Sequence, residues 1–200
     1  MRECEESPLV VGSGDLWQQA TRAKFLSAIG DGTLPEEAFR RWLAQDYLFA
    51  KGLTSFQAIV TAKAPREPQR LLIAGLAALD EEMDWFESNA ADRGVDLGVG
   101  AHPICRRYVD FLIASAYSQP FEVSLAILYG VEVSYVVAWS RLQATGPYAE
   151  VVKRWSSDQF VKYVQGLRAL SIQFQHPHQQ NHFNDVLRHE RDFWHMTWEG

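Results

Sequence analysis

Apolar residues recur every three or four positions almost from end to end of this chain, and that period constrains the fold more than any other feature. From Phe121 the steps give Leu125, Leu128, Glu132, Tyr135, Trp139 and Leu142, the inward stripe of an amphipathic helix. Other segments share the spacing. A first helix, capped by Ser13 or Asp15, passes through Trp17 and Phe25 and stops at Gly30. Thr33-Leu34-Pro35-Glu36 has the form of a capping box and opens a second through Phe39, Leu43, Asp46 and Ala50 towards Val60. A third runs from about Pro68 to Ala90, and a fourth carries Tyr108 and Phe111. Pro120 opens the fifth, Ser156 or Ser157 caps a sixth through Phe160, Tyr163 and Leu167, and the last runs from His178 to Trp198. Roughly seven helical segments joined by short turns, without a β-hairpin signal, predict an all-α bundle.

With 200 residues and 47% hydrophobic content, the chain can bury one full core, so a single domain over 1–200 is expected, with 1–13 as a loose tail. A formal charge of −6 without Lys/Arg clusters argues against nucleic acid or an anionic membrane as partner. The start, MRECEESP, is acidic where a secretory leader would be basic, and no run approaches membrane-span length. Cys4 and Cys105 are too few for a disulfide scaffold. A cytoplasmic protein is expected.

Glu132 interrupts an otherwise apolar stripe, and a buried carboxylate is costly unless it is paired, hydrogen-bonded or facing a polar cavity. It has counterparts. Asp46 is in register with Phe39, Leu43 and Ala50; Glu82 follows Leu71, Gly75 and Leu79; Glu190 stands between Leu187 and Trp194. One such acid is ordinarily a boundary residue with its head in solvent, but four on four helices imply an internal polar pocket. A di-iron centre would need Glu-x-x-His pairs, whereas the residues three beyond these acids are Phe49, Trp85, Tyr135 and Phe193. A haem ligand on the first helix is missing, because no histidine precedes His102. His176, His178 and His182 read as a solvated loop and helix start. No metal or other cofactor is therefore expected.

Two motifs carry a resemblance. LSAIGDGTLPEEAFRRWLAQDYLFAKG resembles the opening of the TenA (thiaminase II) family, with its GDGTLP turn and Gln-Asp-Tyr segment, and HERDFWHM resembles the family's closing Glu-x-x-Phe-Trp motif. The resemblance implies a haem oxygenase-like helical fold. It puts the pyrimidine-binding aspartate at Asp46, pocket tyrosines at Tyr108 and Tyr135, and the catalytic glutamate at Glu190. Phe49 stands where the family has a tyrosine, and the tyrosine usual on the sixth helix has no clear counterpart near Ser156. The nucleophilic cysteine of thiaminase II aligns with Val131, and Cys105 lies on another helix. GVEVSY and RWSSDQFVKYV resemble a second branch, which lacks the cysteine and carries a glutamate in its region.

That branch is associated with salvage of thiamin's pyrimidine. It implies hydrolysis of 4-amino-5-aminomethyl-2-methylpyrimidine, or its N-formyl derivative, to the hydroxymethyl compound. Glu132 and Glu190 would then be catalytic. Asp46, Phe49, Tyr108, Tyr135 and Phe193 would bind substrate, while Glu82 either joins the pocket network or pairs with an arginine. A homo-oligomer, tetramer or dimer, is expected from the family. The alternatives are a regulatory small-molecule-binding relative, or another enzyme of the fold, such as the pyrroloquinoline quinone-pathway oxidase or a metal oxidase.

Overall fold

The computed structural model describes residues 2–143 and 146–200. Among them are eleven helices and no strand: α1 (Arg2–Glu5), α2 (Pro8–Val11), α3 (Asp15–Thr21), α4 (Lys24–Gly30), α5 (Glu36–Lys63), α6 (Arg66–Arg93), α7 (Pro103–Ser118), α8 (Phe121–Ser140), α9 (Ala149–Trp155), α10 (Asp158–Gln173) and α11 (Gln179–Glu199). The all-α expectation holds, with extra helices at the start of the chain and before the sixth expected segment.

The helix expected from Ser13 to Gly30 is two helices, broken at Arg22 and Ala23 without a glycine or proline to announce it. The cause is tertiary. The Thr21 hydroxyl closes α3 by donating to the Trp17 carbonyl at 2.7 Å and accepts from Arg141 of the distant α8 end at 2.9 Å. The capping box also does not form. Asp31 Oδ1 takes both the Thr33 backbone N–H, at 3.1 Å, and its hydroxyl, at 2.6 Å, so Pro35 is left as an N-cap without a side-chain bond. The expected loose tail is packed where it is described. Cys4 is fully buried, Ser7 caps α2, and the Tyr129 hydroxyl donates to the Cys4 carbonyl at 3.3 Å.

Helix α8 is the spine of the bundle, with α3, α5, α7, α9, α10 and α11 against it. Its twenty residues are long and apolar enough to cross a membrane, which corrects the expectation that no run approaches that length. Seventeen of those residues are buried inside the protein, so its apolar surface is covered by neighbouring helices. Gly130 permits the close approach of α11, since a Cβ there would meet Phe183 and Val186 at 3.2 Å. Beside the spine, Trp42 gathers an aromatic cluster, with ring centroids 5.2 Å from Phe39, 5.5 Å from Trp139 and 6.0 Å from Phe86. This rigid wall fixes the N-terminal part of α5 against the C-terminal end of α8, and the site begins one turn away on each helix, at Asp46 and Tyr135.

Candidate active site

One turn beyond Trp42 on α5, Asp46 is buried and accepts a 2.6 Å hydrogen bond from the Tyr135 hydroxyl of α8. Tyr135 is itself held by stacking on Trp194, 5.7 Å away at 18°, and by an edge contact with Trp155. Burial raises the Asp46 pKa to about 7, although the tyrosine bond works in the opposite direction. On α11, Glu190 accepts a 2.7 Å bond from Tyr108 of α7. Its pKa rises to about 8, chiefly through burial, with the Tyr108 bond opposing and the charges of Asp46 and Glu132 adding.

Glu132 differs from both. It is only 7% exposed, and among the described residues its carboxyl has no hydrogen bond or ion pair. Burial alone raises its pKa to about 8. Glu82 on α6 is half-buried, and its pKa is pushed well up by burial and then by Asp46 and Glu132, with Arg154 opposing. Glu82 thus senses the other acids and feels the charge of Arg154, with no ion pair between the two among the described residues. Burial is the largest cause of all four shifts, and it moves every one of these carboxyls towards its protonated form.

Two adjoining cavities meet at Glu132. The inner one, about 30 Å³, is lined by Asp46, Phe49, Val131 and Tyr135, among others. The outer one, about 270 Å³, is lined by Leu71, Gly75, Arg154 and Tyr163, among others. Glu82, Glu132, Trp155 and Phe160 belong to both linings and form the partition. Of the expected site residues, Asp46, Phe49, Glu82, Glu132 and Tyr135 line a cavity. Glu190, Tyr108 and Phe193 line neither. They stand behind Phe49, whose ring lies 4.7 Å from Tyr108 and 5.8 Å from Phe193.

Trp155, Phe160, Tyr163 and Arg154 were not among the expected site residues. Phe160 and Tyr163 were visible as members of an apolar stripe, and a core position and a cavity wall share that spacing. Among the described residues near Ser156 no tyrosine lines a cavity; Tyr163, further along α10, lines the outer one. The Cys105 thiol lies 3.4 Å from the Gln45 carbonyl, belongs to neither lining, and is pushed by burial to a pKa of about 12, which suits a structural rather than a nucleophilic group. Among the described residues, no group of three or more His, Cys, Asp or Glu side chains is arranged to hold a metal ion.

The family described as TENA/THI-4/PQQC matches residues 14–200. The chain belongs to that family. A probable bifunctional TENA-E protein from Glycine max is 28% identical over 201 residues, spanning 91% of this chain and 88% of that protein. A thiamine biosynthesis multifunctional protein, ThiED, from Corynebacterium efficiens is 25% identical over 158 residues, covering 74% of this chain and 21% of its own length. Among solved structures, the TenA homologue from Pyrococcus furiosus superposes with a TM-score of 0.85 at 25% identity, covering 96% of each chain. The fold of this TenA-family chain is accordingly the haem oxygenase-like helical bundle.

Proposed function

We propose that this TenA-family protein is a hydrolase of thiamin-pyrimidine salvage, acting on 4-amino-5-aminomethyl-2-methylpyrimidine or its N-formyl derivative. The observation that carries the reading is the unpaired carboxyl of Glu132 at the junction of the two cavities, beside Val131, where a thiaminase would present its thiolate. The names of the relatives support it, one as a TENA-E protein and one as a thiamine biosynthesis protein. We extend the proposal to a cytoplasmic homo-oligomer that works without a cofactor.

An aminopyrimidine offers an exocyclic amine donor beside a ring-nitrogen acceptor. Asp46 accepts from the amine. The planar walls come from Phe49, Tyr135, Trp155 and Phe160. The inner cavity's 30 Å³ admits a water or two but not the ring, and the outer cavity's 270 Å³ admits the ring. Substrate therefore enters through the outer cavity and reaches Asp46 as Phe160, half-buried at the start of α10, swings aside.

The reacting carbon then lies next to Glu132. For the aminomethyl compound, Glu132 takes a proton from water, the oxygen bonds to the exocyclic carbon, and the C–N bond breaks. Ammonia leaves after receiving a proton. For the formyl compound, the same water attacks the formyl carbon, the formyl C–N bond breaks to give formate and the aminomethyl compound, and the first reaction then replaces its amine with hydroxyl. Glu190, which lies behind Phe49 and lines neither cavity, reaches the departing nitrogen by a relay rather than by contact. The two roles suit carboxyls whose pKa values lie near neutrality. The test is a turnover screen of the purified protein against aminopyrimidines, reading the hydroxymethyl product by mass. Binding without turnover would favour a regulatory relative over an enzyme.

A further inference from the structure

Gln57 lies fully buried on α5, outside the acid set, and its amide bridges two other helices. Its Nε2 donates to the Leu72 carbonyl of α6 at 2.9 Å and to the Tyr163 hydroxyl oxygen of α10 at 3.0 Å. Its Oε1 is buried without a hydrogen-bond partner among the described residues. Gly75, one turn beyond Leu72, makes the arrangement possible, since a Cβ there would overlap both the Gln57 amide nitrogen and the Tyr163 hydroxyl. Gly75 and Tyr163 line the outer cavity together with Glu132.

The Leu72 carbonyl fixes which way the amide faces. A carbonyl can only accept, so the NH₂ side must meet it; the flipped amide would set two oxygens against each other and strand both donors. With the NH₂ end so placed, the Tyr163 oxygen is an acceptor towards Gln57, and its proton must be given elsewhere. We infer that Gln57 is a positioning residue that turns the Tyr163 hydroxyl proton into the outer cavity, so that Tyr163 gives a neutral hydrogen bond to a lone pair on the substrate. Burial and the charge of Glu132 keep that hydroxyl protonated. The ligand class follows. An acid-lined wall takes the amine, and one fixed donor takes a ring nitrogen or a formyl oxygen.

This inference rests on the pyrimidine-hydrolase reading for its substrate but not for its geometry, and the experiment separates the two. Gln57→Glu keeps the shape; its buried, protonated carboxyl would donate to Leu72 and accept from Tyr163, which reverses the bond. Turnover of the aminomethyl- and formylaminomethyl-pyrimidines by Gln57→Glu and Tyr163→Phe should fall by a similar factor, about 10-fold or more. The double variant should fall no further than Tyr163→Phe alone. Independent, multiplying losses would mean that Gln57 acts through folding, and would overturn the inference. A neutron structure of the wild type reads the hydroxyl directly, even if Gln57→Glu does not fold or the wild type turns over no pyrimidine. A Tyr163 deuteron directed away from Gln57 is expected. One directed at the Gln57 amide would overturn the inference, whereas absent turnover with the expected deuteron would count only against the hydrolase reading.

Discussion

The aromatic cluster around Trp42 and the acid-lined cavity lie side by side in the same bundle, equally buried and opposite in energetics. Around Trp42, burial removes apolar surface from water and stabilises the fold. One turn along α5 from Trp42, and two turns back along α8 from Trp139, burial works against Asp46 and Glu132, whose pKa values rise to about 7 and about 8. Tyr135 belongs to both regions, with its ring stacked on Trp194 and its hydroxyl on Asp46. The difference teaches that the bundle holds unfavourable carboxyls in place with the rigidity of the cluster beside them. Asp46 and Glu190 each have a tyrosine partner, whereas Glu132 is left to the cavity.

Removing the cluster should have the largest effect. Trp42→Ala is expected to lower stability by about 3–5 kcal/mol, measured by denaturant unfolding; a loss below ~1 kcal/mol would mean that the cluster is not the wall on which the site depends. On the cavity side, Asp46→Asn should leave stability nearly unchanged but weaken binding of the hydroxymethyl pyrimidine by roughly 1.5–3 kcal/mol, through loss of a charge-assisted acceptor. Calorimetry on folded variant protein decides this, and unchanged affinity would remove Asp46 from the site.

Tyr135→Phe sharpens the comparison, because it keeps the ring in the cluster and withdraws only the hydroxyl from the cavity. A loss of about 1 kcal/mol in stability is expected, and the Asp46 pKa should move up, since the Tyr135 bond lowers it. NMR titration of the Asp46 carboxyl measures that shift, and a downward one would reverse the role given to the bond.

The cavity side also has a pH dependence of its own. Glu132 rises from an ordinary 4.5 to about 8, so the folded state binds its proton more tightly than the unfolded chain. Its stabilising contribution is therefore full below about 4.5 and lost as pH rises through about 8. Glu132→Gln should flatten that decline, with its melting temperature gaining on wild type between those limits. Parallel curves would show that Glu132 does not titrate as described.

The helical class was legible because a period near 3.6 is written in each segment separately. The break at Arg22 was not, because its cause is Arg141, more than a hundred residues away. The four acids could be read one by one as charges on apolar faces. Which of them face open space could not, since the stripe that puts Glu132 at the cavity junction puts Glu190 behind Phe49. Tyr163 and Gln57 escaped for a related reason. A tyrosine at a stripe position and a buried glutamine look like core and boundary residues until their hydrogen bonds are seen. The local capping box failed through competition from Asp31, two residues before Thr33, whose side chain reaches the same backbone N–H.

Glu132 is the centre of the account, and the most direct measurement assays wild type and Glu132→Gln side by side on thiamin and on the aminomethyl- and formylaminomethyl-pyrimidines. Displacing a thiazolium from the pyrimidine methylene calls for a strong nucleophile, and a thiolate suits that far better than a carboxylate. With Val131 proposed at the cysteine's position and the Cys105 thiol outside both cavity linings, little or no thiamin cleavage is expected. At least one of the two pyrimidines should be hydrolysed, and Glu132→Gln should lower that rate by about 10²-fold or more while still folding and binding the hydroxymethyl product. Efficient thiamin cleavage by the wild type, or undiminished pyrimidine turnover by Glu132→Gln, would contradict the assignment of Glu132 as the group that activates water.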